Sequence, residues 1–151
     1  MFGTDFDFMT KAWPSYVEKQ IMIKTITIDG SRIHDIPSLY DEINRVLMKD
    51  VEWKLGQSLD ALDDMFYGGY GEIRGNEKVR LVWKNFELNR KDLGSDLTRK
   101  FYEDKLKSPK IFNPELNKQR LAELETGKGK TYFEIILEII AGHPNIELVA
   151  K

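Results

Sequence analysis

The sequence predicts an α/β domain, a small three-stranded parallel sheet packed with helices and carrying a helical insertion. Three observations lead there. Short runs rich in β-branched residues, at 21–30, 79–83 and 145–150, alternate with segments whose apolar residues recur at helical spacing. A chain of 151 residues, 41% of them hydrophobic, suits one domain that buries a sizeable core. Between residues 91 and 130 the alternation gives way to a charged stretch with Pro109, Pro114 and several lysines.

Taken in order, "IMIKTITIDG" (21–30) reads as a strand that stops at the turn Asp29-Gly30. "DIPSLYDEINRVLMKD" follows with Leu39, Ile43 and Leu47 at spacing four and Pro37 in the first turn, an amphipathic helix. In "GQSLDALDDMF" (56–66), Ser58 is an N-cap and Leu59, Leu62 and Phe66 form an apolar stripe. Asp60 and Asp64 point away from that stripe. The glycines of "YGGYGEIRGNE" end the helix in a loop, "VRLVW" (79–83) is a second strand, and "KNFELNR" is helical. Within 91–130, helices are expected over 96–107 and 114–125, the second opening on Asn113-Pro114. So long a segment without structure would be unusual, which favours an inserted subdomain. "TYFEIILEIIAG" is a largely buried helix, and "NIELVA" a closing strand.

Composition excludes several chemistries. With no cysteine there is no disulfide, thiolate metal site or cysteine nucleophile, and the usage leans toward a cytoplasmic setting. The N-terminal stretch lacks the basic and apolar runs of a signal peptide, and no window has the roughly 20 apolar residues of a membrane span. His34 and His143 are the only histidines and read as surface residues. "ETGKGKT" (125–131) has the end of a phosphate-binding loop, but Leu124 stands where the pattern needs glycine, so it reads as a flexible linker.

Charge is more informative. The formal net charge is −2, yet residues 41–72 carry eight acids against three bases, a local −5. Residues 73–151 carry +4. The segment 73–110, with eleven Lys/Arg against six acids and Phe101-Tyr102 among them, allows single-stranded nucleic-acid binding as an alternative function. Asp60, Asp63 and Asp64 lie on one helical turn, where like charges four apart repel by roughly 0.2–0.5 kcal/mol. From spacing alone they fit a solvated helix face, a binding surface, or weak ligands for Mg²⁺. No companion acidic motif supports the metal, so none is expected.

Gly56-x-x-Leu59-Asp60-Ala61-Leu62-x-Asp64, with "TIDGSRIHDIPSLYDEI" before it, "VRLVWKNF" after it and a closing helix and strand, resembles the barstar family. These are small intracellular inhibitors of secreted ribonucleases. The resemblance covers about 22–91 and 130–150, so 1–21 stands as an N-terminal extension of unknown role and 91–130 as an insertion in a domain spanning 22–151. It implies that the family core is complete without residues 93–128, so that replacing them with a short linker leaves a cooperatively unfolding domain. It implies a non-enzymatic protein without cofactor, cytoplasmic, whose partner is a basic nuclease or toxin. It also implies the contact residues: Asp60 and Asp64 at the two acidic contact positions, Asp64 in the nuclease's phosphate site, and Glu138 as a further acid. Asp63 stands in place of an aromatic, Lys54-Leu55 in place of two tyrosines, and Gly68 or Gly69 at the glycine after the helix.

Overall fold

The computed structural model describes residues 23–151. The extension called at 1–21 lies outside them. The chain runs β1 (Lys24–Asp29), a 3₁₀ turn (Gly30–Arg32), α1 (Ile36–Leu47), α2 (Leu59–Phe66), β2 (Val79–Lys84), α3 (Phe86–Asp92), α4 (Ser95–Leu106), α5 (Pro114–Glu125), α6 (Tyr132–Ala141) and β3 (Ile146–Ala150). The sheet order is β1-β2-β3 with both pairs parallel, so the fold class expected from sequence is the one observed. Central β2 buries Val79, Leu81, Val82 and Trp83 and exposes only Lys84 fully. A strand flanked on both edges and covered on both faces reads as such a continuous apolar run.

Four of the six helices, α1, α2, α5 and α6, start where a side chain satisfies their first N–H groups; α3 and α4 start without a side-chain cap. Asp35 caps α1 in a reciprocal capping box with Ser38, Asn113 caps α5 ahead of Pro114, and Thr131 forms a second box with Glu134 on α6. The Ser38 hydrogen bonds hold the Asp35 carboxyl below its ordinary range. The stretch 126–131 is a hydrogen-bonded turn rather than the flexible linker expected: Lys128 and Gly129 N–H groups both donate to the Glu123 carbonyl, at 3.0 and 2.8 Å. Two N–H groups sharing one carbonyl close the C-terminus of α5 and deliver the chain straight to the Thr131 cap.

Two buried polar knots hold the layers in register. Asn89, fully buried on α3, accepts from the Trp83 indole N–H at 2.7 Å and donates to the Gly30 carbonyl at 3.0 Å. Gly30 is required there, since a Cβ would lie 2.1 Å from the Lys84 carbonyl oxygen. On the other side, the Tyr40 and Tyr132 hydroxyls meet at 2.8 Å between α1 and α6, and burial pushes both phenols up.

Segment 91–130 holds the last two residues of α3 and an α4–α5 hairpin whose first half is joined to the core. Leu93 is fully buried, and its carbonyl accepts from Phe133 N–H at 3.1 Å. The Thr98 hydroxyl accepts from Tyr132 N–H at 2.8 Å, and Phe101 packs edge-on against Tyr132 with centroids 5.2 Å apart. Replacing 93–128 wholesale, which the sequence reading treats as harmless, removes these contacts. The reason is physical: α6 begins against α4, so its first turn depends on α4 for both packing and a hydrogen bond.

Candidate functional site

Helix α2 presents the acids. Its N-cap Ser58 accepts from Ala61 N–H at 3.3 Å, while Leu62, Met65 and Phe66 are buried and anchor it. That face fixes the opposite one: Asp60 and Asp64 are exposed, and neither has a cationic partner within ion-pair distance among the described residues. Asp60 in the first turn gains from the helix dipole. Asp64 faces the loop beyond the helix, where its carboxylate adds to burial in pushing the Tyr70 phenol up.

Asp63 has a different environment. Its Oδ1 lies 2.7 Å from His143 Nε2. With a carboxylate as acceptor, the ring N–H is the donor. His143 is only 4% exposed, which corrects its reading as a surface residue. The ring sits just past α6, against Phe66 (5.6 Å) and Tyr67 (4.6 Å), so the pair ties the acidic helix to the closing crossover. His34 is exposed, as expected.

The remaining expected contact residues divide. Leu55 is 5% exposed and belongs to the core; Asn44 fixes it by accepting from its N–H at 2.7 Å and donating to its carbonyl at 3.1 Å. Its side chain is therefore not a surface contact. Lys54 beside it is exposed. Gly68 is the glycine the turn requires: φ is +82°, and a Cβ would lie 2.3 Å from the Gly75 carbonyl oxygen. Gly69 has open space around it. Glu138 is exposed on α6, the helix that packs on α2, and pairs with Lys130. Two aromatics that the sequence reading did not single out flank the acids. Trp53 is half exposed and braced on Tyr70 at 4.7 Å; Tyr67 is 67% exposed and braced on His143. Their signal in the sequence is an aromatic on either side of the acidic turn.

Asp63→Ala should show its cost in the unfolding curve. It leaves a buried ring nitrogen without a partner, worth about 1–3 kcal/mol. Asp63→Asn, which keeps an acceptor oxygen, should recover part of that loss in a urea titration. A curve for Asp63→Ala that overlays the wild type would mean the contact holds nothing.

Among the described residues no group of three or more His, Asp or Glu side chains is placed to hold a metal, and no helix is long and apolar enough to cross a membrane. Fold and site together define a three-stranded parallel α/β domain that presents a capped acidic helix. Residues 23–102 match the family described as "Barstar (barnase inhibitor)", and the chain belongs to that family. The matched span takes in β1, α1, α2, β2, α3 and most of α4. The family is one of inhibitors, not enzymes. No curated protein matches the chain.

Proposed function

We propose that the chain binds a basic nuclease, a ribonuclease or a toxin of similar charge, and blocks its active site with α2. Asp60 and Asp64 stand in for substrate phosphates, Asp64 in the phosphate site itself, with Glu138, Lys54 and Gly68–Gly69 at the margin. Asp63 acts from within, through His143. The observation that carries this reading is a pair of exposed carboxylates, without cationic partners among the described residues, on a helix whose other face is locked in the core. Free carboxylates on a rigid element lose little on meeting cations, because the ordering is already done. The repulsion between them is relieved in the complex. This function places the protein in the cytoplasm as the resident counterpart of a nuclease.

The nucleic-acid alternative finds less support. Five of the eleven cations of 73–110, Arg74, Arg80, Arg90, Arg99 and Lys107, are ion-paired with carboxylates, and the segment is divided among β2, α3 and α4.

Stopped-flow association with barnase is the test. Raising ionic strength from about 0.01 to 0.15 M shortens the screening length from roughly 30 to 8 Å. The on-rate should fall steeply while the off-rate changes little, as expected for an acidic surface steering a basic partner. An on-rate indifferent to salt, or RNA shifted in a gel at the same concentrations, removes the phosphate-mimic account.

A further inference from the structure

Helix α2 is too small to be a whole interface. Eight residues make a helix about 12 Å long and about 10 Å wide, whose exposed face offers roughly 150 Å² at most. A stable protein–protein interface covers about 800 Å² on each partner. A nuclease seated on Asp60 and Asp64 therefore lands on whatever borders them. Toward Asp64 the border is the Trp53, Tyr67 and Tyr70 side already described. Toward Asp60 it is a cleft of about 940 Å³, open to solvent, whose far wall is the hairpin: Lys100, Phe101, Asp104 and Lys105 from α4, and Phe112 from the turn before α5, with the Asp104 carboxylate paired to Lys107 at 3.3 Å.

The hairpin's tip, of which Phe112 reaches the cleft, has an unusual surface. Ile111 is 77% exposed, Phe112 37% and Leu116 46%, three large apolar side chains within six residues at the hairpin tip. They account for half of the large hydrophobics that are exposed among the described residues. Of the three, Phe112 lines the cleft together with Lys100 and Lys105, and neither lysine has a carboxylate within 4 Å among the described residues. The Lys105 ammonium sits over the Phe101 ring at 4.3 Å and the Phe112 ring at 5.2 Å. Burial draws its pKa down, and Asp60 across the cleft acts in the opposite direction, so the two walls feel each other.

We propose that the α4–α5 hairpin is the second half of the docking surface for the nuclease, and that it selects which nuclease is bound. This rests on the reading of the acidic helix given above. The nuclease places its cationic site on α2 and lays an adjoining apolar segment, free of Lys and Arg, against Ile111, Phe112 and Leu116. Lys100 and Lys105 repel a nuclease whose basic surface continues in that direction. Attraction on one side of Asp60 and repulsion on the other are what discrimination among similarly charged partners needs.

The test uses the full chain and two probes: barnase, and the protein that wild type but not Asp64→Ala retains from an extract of the source organism. Dissociation is measured for wild type, Asp64→Ala, and Ile111→Ser/Phe112→Ser/Leu116→Ser combined. Thermal unfolding of the combined variant should stay a single cooperative transition with a small downward shift, since Ile111 and Leu116 are exposed and Phe112 loses only its contact with Lys105. The expected result is dissociation of the retained protein at least tenfold faster from the combined variant, with the salt dependence of its on-rate unaltered. Dissociation within twofold of wild type for both probes, while Asp64→Ala still releases them, overturns the hairpin's role and leaves the acidic helix standing. A tip effect on barnase, with Asp64→Ala binding barnase normally, overturns both, because the surface would then not continue from α2. No retained protein and no barnase binding overturns both as well. A wild-type dimer in sedimentation that the combined variant abolishes makes the tip a contact between copies, and ends the proposal.

Discussion

Asp64→Ala should abolish tight inhibition while leaving the fold intact or slightly more stable. The carboxylate is exposed, points away from the Leu62, Met65 and Phe66 face, and has no ion-pair partner among the described residues, so its removal opens no cavity and breaks no bond. It also relieves the repulsion with Asp60 one turn earlier. In a complex the same group would be desolvated among cations. Truncating one side of such a pair costs about 2–5 kcal/mol or more, a loss of affinity of about thirtyfold at the least. Asp60→Ala should weaken binding too, and Asp63→Ala should lose stability more than affinity. Inhibition curves with barnase, alongside urea unfolding of each variant, separate these outcomes. Wild-type affinity in Asp64→Ala would reduce α2 to a solvated face.

Asn89→Ala should be the most damaging polar-to-alanine change in the core. The amide satisfies the Trp83 indole N–H and the Gly30 carbonyl at once, and also reaches the Ile33 carbonyl at 3.3 Å. Trp83 is 1% exposed, so water has no access to its ring nitrogen from bulk. At about 1–3 kcal/mol for each buried group left without a partner, the loss comes to roughly 3 kcal/mol or more. For a domain of this size that is a fall in Tm of about 6–12 °C. Calorimetry reads it directly. A fall under about 2 °C would mean that a water molecule takes the amide's place.

The parts of the molecule legible from sequence are those written in local spacing. The β-branched runs at 24–29, 79–84 and 146–150 became the three strands, and 114–125, opening on Asn113-Pro114, became α5 with the bounds its capping signal predicts. The cap at Ser58 and the Leu59/Leu62/Phe66 stripe oriented Asp60 and Asp64 correctly. What stayed hidden depends on partners far along the chain. His143 follows a helix and precedes a proline, a setting that reads as a surface turn, yet Asp63 meets it from eighty positions away. Leu55 sits in a polar neighbourhood and looks exposed until Asn44 closes on its backbone. Asn89 interrupts a charged helix with no periodic signal, and only the approach of Trp83 and Gly30 makes it central. The hairpin's tie to α6 was missed for the same cause: Thr98 and Tyr132 are neighbours only in the folded chain.

The crossover from β2 to β3 carries α3, the whole hairpin and α6 between two adjacent strands. Residues 94–130 more than double its length. Closing a longer loop is inexpensive in equilibrium terms, since each doubling costs only about 0.6 kcal/mol. The kinetic consequence is larger. Pairing β3 with β2 is a contact of high sequence separation, and such contacts slow folding far more than they lower stability. While β3 is still searching, one flank of β2 offers unpaired N–H and C=O groups to any other extended chain. A lengthened crossover thus leaves the native state nearly untouched and extends the interval in which newly made copies can stick to one another.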